Sequence, residues 1–164
     1  MIYLGIDPGK SGAIVALPHR EWIGLDETIA DIWLWLRALT PPVTALLEEV
    51  HSRPACDKRG KTVRGIRCTF AFGRAFGNVE AALIIAGVEM GIRFERVMPQ
   101  RWQRAIGLTV VKGEARPDHK RRLKALAQEL FPGAKITNQT ADAYLLAEVC
   151  RRMHRAEWRQ PENK

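Results

Sequence analysis

Acidic side chains stand at the ends of apolar segments that lie far apart along the chain. Asp7 ends the run over residues 2–6, and Glu48 and Glu49 end the run over residues 43–47. Asp142 begins the last apolar segment. A carboxylate in an apolar strand costs free energy unless it is paired or binds a cation. Carboxylates at matching depth on neighbouring strands, about 4.8 Å apart, can share a divalent ion. Such hard oxygen ligands suit Mg²⁺, with Mn²⁺ as a substitute, and these ions also hold phosphate oxygens.

Each carboxylate taken alone also has a simpler interpretation. Asp7 precedes Pro8-Gly9 and could serve only to form a turn. Asp142 could be an ordinary acidic residue in the first turn of a helix, where the helix dipole keeps it ionised. One of Glu48 and Glu49 must point away from the other. The joint pattern, beside a basic remainder, is what a metal site that cuts phosphodiesters needs.

The charge is unevenly distributed along the 164 residues, which carry a formal net charge of +8. Residues 1–50 contain three basic and seven acidic side chains, so they carry −4 and the remaining 114 residues carry +12. This asymmetry indicates a polyanionic partner, nucleic acid rather than a membrane surface, although a merely basic soluble protein is the alternative. Two clusters would hold phosphates rather than read bases: Arg53, Lys58, Arg59, Lys61, Arg64 and Arg67 in the first, and Lys112, Arg116, Lys120, Arg121, Arg122 and Lys124 in the second.

Length and composition exclude several classes of protein. The chain suits one domain over residues 1–158 with a charged tail over 159–164. We expect no membrane span, because no apolar run approaches about 18 residues, and no signal peptide, because no basic region precedes Asp7. Three cysteines without a CxxC pair indicate a reduced, cytoplasmic compartment, and the spacing of His51, Cys56 and Cys68 matches no zinc finger.

The hydrophobic pattern predicts a mixed α/β sheet. Strands are expected over residues 1–7, 13–17, around 21–23, 43–50 and 92–97. Helices are expected over 26–39, 70–91, 99–106 and 116–131, and from about 140 to 151, with a basic loop over 51–69. The prediction therefore places Asp7 and Glu48 at strand ends and Asp142 at a helix start.

Four motifs, in order, resemble those of RuvC-type Holliday junction resolvases, a branch of the ribonuclease H-like superfamily. They are Leu4-Gly5-Ile6-Asp7-Pro8-Gly9 with Ser11-Gly12, Leu47-Glu48-Glu49-Val50, Phe72-Gly73-Arg74-Ala75-Phe76-Gly77 and Thr140-Ala141-Asp142-Ala143. The third motif and Pro99-Gln100-Arg101-Trp102 look closest to the phage and prophage members. Together the motifs span nearly the whole chain.

The resemblance implies a ribonuclease H-like fold with a five-stranded mixed sheet of order 3-2-1-4-5, flanked by helices. It implies a Mg²⁺-dependent endonuclease that resolves Holliday junctions or related branched DNA as a homodimer, in a bacterial cytoplasm and encoded by the cell or by a phage. By this resemblance Asp7, Glu48 and Asp142 position two metal ions, one activating water and the other stabilising the leaving 3′-oxygen. Glu49 matches a variable neighbour, and Lys112 or Lys120 matches the region of a lysine that stabilises charge on the scissile phosphate.

One departure concerns the fourth metal ligand. The family usually has an acidic residue or a histidine shortly before the last aspartate, where this chain has Asn138 and Gln139. Either amide could offer an oxygen to a metal, but neither supplies negative charge, so weaker metal binding is expected. Asp118 is the nearest spare carboxylate, and its position after Pro117 predicts a helix N-cap.

Small and aromatic residues near the start of the second helix suggest contacts with DNA or a second copy. Gly73 and Gly77 share a helical face, which lets that helix approach the sheet or its counterpart in a dimer. Phe70, Phe72 and Phe76 could stack at the junction centre, or the last two could be core, and Arg74 is a further predicted DNA contact.

Two other functions are compatible with the sequence. One is a ribonuclease H-like nuclease that cuts flaps or RNA–DNA hybrids. The other is a junction-binding protein with a decayed active site, an alternative that the missing fourth ligand supports. The Gly5–Gly12 segment is also similar to the phosphate loop of actin-like and sugar-kinase ATPases, but those need two such domains and 164 residues are too few.

Overall fold

The structure, a computed structural model, describes residues 1–9, 12–50 and 66–155, with the backbone alone for residues 66–69. Its elements, in order, are β1 (Ile2–Asp7), β2 (Ala13–Leu17), β3 (Glu21–Gly24), α1 (Ile29–Arg37), β4 (Val43–Glu48), α2 (Ile66–Met90), β5 (Arg93–Val97), α3 (Pro99–Ala105), α4 (Arg116–Leu130) and α5 (Ala141–His154).

The five strands form one sheet in the order β3-β2-β1-β4-β5, which confirms the predicted topology. The first three strands pair antiparallel as a meander, whereas β1 pairs parallel with β4 and β4 pairs parallel with β5. The parallel connections pass through helices, as parallel pairing requires. This arrangement brings the ends of β1 and β4 to the same edge of the sheet.

Side chains of alternate residues fill two separate cores on the two faces of the sheet. Ile2, Leu4 and Ile6 of β1 pack with α1 and α2 on one face. The remaining residues of β1 and β4 face α3, α4 and α5. The core on this side contains Leu46, Trp102 and Tyr144. Because strand side chains alternate, Asp7 and Glu48 belong to this second face.

Two helix starts and one cap differ from the prediction. Helix α1 begins at Ile29 rather than residue 26, because Thr28 caps it and forms a reciprocal capping box with Asp31. Helix α2 begins at Ile66, so the predicted loop over 51–69 is wrong for its last four residues. Asp118 does not cap α4: Ala115 is the N-cap, and Asp118 lies in the first turn, paired with Arg121.

Helix α2 presents an apolar surface that the rest of the described chain leaves uncovered. Val79, Ala82, Leu83 and Ala86 are buried against the sheet layer, whereas Ile84, Ile85 and Val88 are exposed. Of the described helices, α2 over Phe70–Met90 is the one that length and composition would allow to cross a membrane. The sequence prediction considered only uninterrupted apolar runs and did not anticipate this.

Candidate functional site

Asp7 and Glu48 lie next to each other at one edge of the sheet. The parallel register of β1 and β4 ends with Ile6 opposite Leu47, and each carboxylate follows that pair by one residue. The Asp7 Oδ1 atom accepts a hydrogen bond from the Gly9 amide at 3.0 Å, which fixes the turn after β1. Glu48 is buried. The strand pattern that predicted their proximity is therefore reproduced by the fold.

Helix α5 brings Asp142 to the same edge because it lies directly on β1. A Cβ built on Gly5 would lie no more than 2.8 Å from the backbone atoms Ala143 O, Ala147 N and Leu146 C. Only a residue without a side chain permits this approach. Asp142, one residue before Ala143 in the first turn of α5, is buried beside the ends of the two strands.

Lys120 of α4 supplies the positive charge at this edge. Its Nζ donates to Asp142 Oδ2 in an ion pair, while Asp142 Oδ1 is buried and has no hydrogen-bond partner among the described residues. Burial opposes the charged form of Lys120, but the Asp142 carboxylate outweighs it, so the pKa of Lys120 is raised. Of the two lysines that the resemblance indicated, the structure places Lys120, not Lys112, at the carboxylates; Lys112 is exposed in the α3–α4 loop.

The carboxylates of the site repel one another in a poorly solvated environment. Burial, followed by the charge of Asp142, raises the pKa of Asp7. Burial, followed by the charge of Asp7, raises the pKa of Glu48 to about 7, against an ordinary value of 4.5. Perturbed pKa values cluster at functional sites, so these buried carboxylates are candidates for one.

A divalent ion fits this donor set. The orphaned Oδ1 of Asp142 and the unfavourable charges on Asp7 and Glu48 would all be relieved by a hard cation. Among the described residues, however, no three His, Cys, Asp or Glu side chains already lie close enough to form a metal-binding group. Binding would therefore draw Asp7, Glu48 and Asp142 closer together than they lie here.

The amides proposed as substitutes for a fourth ligand are placed differently from each other. Gln139 Nε2 donates to the Gly12 carbonyl at 3.3 Å and to Asp26 Oδ1 at 3.4 Å. Asn138 is exposed. Gln139 thus ties the β1–β2 turn to the loop before α5, and its role as a metal ligand stays a prediction, as does that of Asn138.

The predicted DNA contacts fall partly within the described residues. Phe70 is 71% exposed, Arg74 is exposed beside a cavity of about 190 Å³, and Arg121 is exposed and paired with Asp118. Phe72 and Phe76 are half-buried, and Arg96 lies over the Phe76 ring. Arg67 lies in α2, but its side chain is outside the described atoms, as are Arg53, Lys58, Arg59, Lys61 and Arg64.

The sequence pattern indicates neither of two buried contacts found at or near the site. Trp102 is fully buried, and its indole Nε1 donates to Glu48 Oε1 at 2.9 Å. The His119 ring lies between Glu114 Oε2, 3.2 Å from its Nδ1, and Gln103 Oε1, 3.1 Å from its Nε2. The segment Pro99–Trp102 had been noticed only as a family-like motif, and nothing in it indicated which side chain the indole would meet.

The raised pKa of Glu48 predicts a characteristic dependence of stability on pH. Because the folded carboxyl holds its proton more tightly than the unfolded one, its favourable contribution is full below pH 4.5 and is lost as the pH rises through about 7. The loss is on the order of 3 kcal/mol. We expect urea unfolding in EDTA to show this decline relative to the Glu48→Gln variant, and parallel curves for the two proteins would contradict it. Added Mg²⁺ should stabilise the wild type more at pH 7.5 than at pH 5.5, because metal binding needs the ionised carboxylate.

Comparison with known proteins identifies the fold. No protein-family model matches the chain, and no curated protein matches it in sequence. Among solved structures, the chain is similar to RuvC of T. thermophilus in complex with a Holliday junction substrate, with a TM-score of 0.59, 15% identity and 96% of each chain covered. It is also similar to a second structure of Thermus thermophilus RuvC, with a TM-score of 0.58, 18% identity and coverage of 96% of this chain and 97% of that one. The chain therefore has the ribonuclease H-like fold of RuvC.

Proposed function

We propose that this protein is a divalent-metal-dependent endonuclease that resolves Holliday junctions or related branched DNA. The observation that carries the proposal is the convergence of Asp7, Glu48 and Asp142, with Lys120, at one edge of the sheet. The full-length likeness to RuvC, one structure of which contains a Holliday junction substrate, supports branched DNA as the substrate class. The basic remainder of the chain supports a nucleic-acid partner.

The described side chains have distinct roles in this proposal. Asp7, Glu48 and Asp142 hold Mg²⁺, or Mn²⁺ in its place; when bound, such ions activate water and stabilise charge at a phosphodiester. The departure from a fourth acidic ligand makes weak binding of a second ion the expectation. Lys120, held by Asp142, is placed to offset negative charge on a phosphate at the same edge.

Cleavage of a panel of substrates tests the proposal. A four-way junction, a flap, an RNA–DNA hybrid and a linear duplex of matched sequence are incubated with the purified protein in Mg²⁺, Mn²⁺ or EDTA. We expect paired nicks in the junction that require the divalent ion. Preferred cutting of flaps or hybrids would identify the other nuclease instead. Junction binding without cleavage in either metal would identify a decayed site.

We further propose that the enzyme is a homodimer formed through α2, encoded by a bacterium or its phage and acting in the cytoplasm. A junction has two strands to cut about a two-fold axis, which suits a symmetric dimer. Outside the adjacent residues and backbone of α2 itself, no described atom lies within 4 Å of a Cβ built on Gly73 or Gly77, so these glycines do not serve packing on the sheet. Apolar side chains farther along the same helix are also uncovered, with Val88 84% exposed. A second copy would cover both, and we propose this partner rather than a membrane.

A charged residue on the uncovered face of α2 should therefore break the dimer. Ile84→Glu, on the same helical face as Gly77, is expected to raise the dimer dissociation constant about 30-fold, equivalent to about 2 kcal/mol for a central contact. Sedimentation equilibrium measures the change, and Leu34→Glu, at an exposed apolar residue of α1, is the matched control. A monomeric wild type, or equal dimerisation of both variants, would contradict the assignment of this face.

A further inference from the structure

Trp102 is the one described side chain outside the charged residues that donates directly to a carboxylate of the site. It lies in α3, is 0% exposed, and is packed in the core between the sheet and the helices α4 and α5. An indole has a single N–H donor, which needs a partner when buried. Here the indole N–H donates a hydrogen bond to Glu48 Oε1 at 2.9 Å. One oxygen of Glu48 is thereby fixed, and the carboxylate plane can no longer turn freely.

The backbone route to Trp102 explains why the ring reaches Glu48. Glu48 is the register partner of Val97 at the end of β5, and the Glu49 amide donates to the Val97 carbonyl at 2.8 Å. Met98 then caps α3 and Pro99 begins it, so the first turn of the helix folds back over the strand end. This short segment is hydrogen-bonded to the end of β4 and thus places Trp102 next to the Glu48 carboxylate.

The next residue of α3 links the same helix to the lysine of the site. Gln103 is buried and its Oε1 lies 3.1 Å from His119 Nε2, and His119 immediately precedes Lys120 in α4. His119 is held in turn by Glu114. Helix α3 therefore contacts both Glu48 and the helix that carries Lys120. A substitution on its buried face would alter the positions of these site residues.

We propose that Trp102 is a positioning residue that orients Glu48 for metal binding through its indole N–H. The inference rests on the proposed function, since it assumes that Glu48 is a metal ligand. Partners that orient a ligating group typically change metal affinity or activity about 10–100-fold when removed. An aromatic ring needed only for packing would leave metal affinity unchanged when replaced by a ring of similar shape.

Trp102→Phe removes the donor and keeps an aromatic side chain in the core. We expect calorimetric titration with Mn²⁺ to show about 10-fold weaker binding, and half-maximal junction cleavage to need about 10-fold more Mg²⁺. Junction affinity in EDTA should stay at the wild-type value. The matched control is Trp33→Phe in α1, on the opposite face of the sheet, which should leave Mn²⁺ affinity unchanged. Wild-type Mn²⁺ affinity in Trp102→Phe would overturn the inference.

Glu48→Gln separates this inference from the proposed function. If Glu48→Gln cuts junctions as the wild type does, the assignment of Glu48 as a ligand fails. If Glu48→Gln is inactive while Trp102→Phe matches the wild type in Mn²⁺ affinity, the inference about Trp102 alone fails. In the Glu48→Gln background, Trp102→Phe should cause no further loss of Mn²⁺ affinity, and an additional 10-fold loss would also contradict it.

A measurement on the intact tryptophan keeps the inference testable if Trp102→Phe does not fold. The chain has five tryptophans, whose indole N–H resonances can be followed in ¹⁵N-labelled protein. One of them should shift both when Glu48 is changed to Gln and when Mg²⁺ is added to the wild type. The absence of any indole resonance that responds to both changes would overturn the inference.

Discussion

Asp7→Asn is expected to abolish cleavage of a four-way junction while binding of the junction is retained. Asp7 ends β1 beside Glu48 and within electrostatic range of Asp142, so it is the carboxylate common to the whole cluster. A bound metal ion supplies several kcal/mol of transition-state stabilisation. Loss of about 4 kcal/mol, at about 1.4 kcal/mol for each tenfold change, lowers the cleavage rate about 1,000-fold. Binding persists because basic side chains, not carboxylates, hold DNA phosphates. Single-turnover cleavage and electrophoretic mobility shifts measure the two quantities.

The same variant should be at least as stable as the wild type when metal is removed. Burial and the charge of Asp142 raise the pKa of Asp7, so the ionised side chain is unfavourable in the folded protein at neutral pH. Asparagine removes that charge and its Oδ1 can still accept the hydrogen bond from Gly9. Thermal unfolding in EDTA measures this. A gain in stability with a loss of activity is the pattern expected where function requires an unfavourable arrangement.

Asp118→Asn is the matched control, because Asp118 lies in the first turn of α4 and its carboxylate is paired with Arg121 rather than with the site. It should cut junctions at the wild-type rate. Retained cutting by Asp7→Asn would refute the assignment of Asp7. Loss of cutting by Asp118→Asn would show that the spare carboxylate does contribute to catalysis.

The sheet was predictable from sequence because its strands carry strong local signals. The alternation in residues 2–6 assigns each side chain to a face of the sheet, because a slip of one residue would move the apolar set to the other face. The apolar run over 43–47 locates the second strand, which ends at Glu48, two residues before the predicted end. Once β1 and β4 are neighbours, Asp7 and Glu48 must meet at one edge. The confirmed strand order thus follows from short-range information combined with the family resemblance.

The remaining geometry depends on tertiary packing that leaves no local signal. The indole of Trp102 donates to Glu48, which lies 54 positions earlier in the sequence. The residues around Trp102 show only the pattern of any short amphipathic helix. The start of α2 at Ile66 was missed because the preceding basic residues resemble a loop. The charged neighbours of His119 are typical of a helix surface, but its ring contacts Gln103 and Glu114, which no local pattern indicates.

Gly5→Ala should destabilise the fold strongly. The added Cβ would lie against Ala143 O, Ala147 N and Leu146 C, which are backbone atoms and cannot rotate away. Overpacking a core lowers the free energy of unfolding by about 1–3 kcal/mol, and sometimes by more. Because the clash here is with rigid helix backbone, we expect a loss of about 3 kcal/mol or more. Urea unfolding monitored by circular dichroism measures the change.

Gly73→Ala is the control that separates the clash from the general effect of replacing glycine. A Cβ on Gly73 meets no described atom within 4 Å outside the adjacent residues and backbone of its own helix, α2, and in a helix alanine is favoured over glycine by about 0.5–1 kcal/mol. At protein concentrations too low for dimers, Gly73→Ala should therefore be neutral or stabilising. Equal stability of the two variants would show that α5 does not press on β1 as described.

The consequence of Gly5→Ala for the site follows from the same contact. If α5 moves away from β1 to accommodate the methyl group, Asp142 moves away from Asp7, because both are fixed on those two elements. Any folded fraction of Gly5→Ala should then bind Mn²⁺ more weakly than the wild type, and the pKa of Asp7 should fall toward its usual value because the charge of Asp142 is one of the causes that raise it. Wild-type Mn²⁺ affinity in a folded Gly5→Ala protein would mean that the metal ligands do not depend on the contact between α5 and β1. The glycine in the first strand would in that case serve the fold alone.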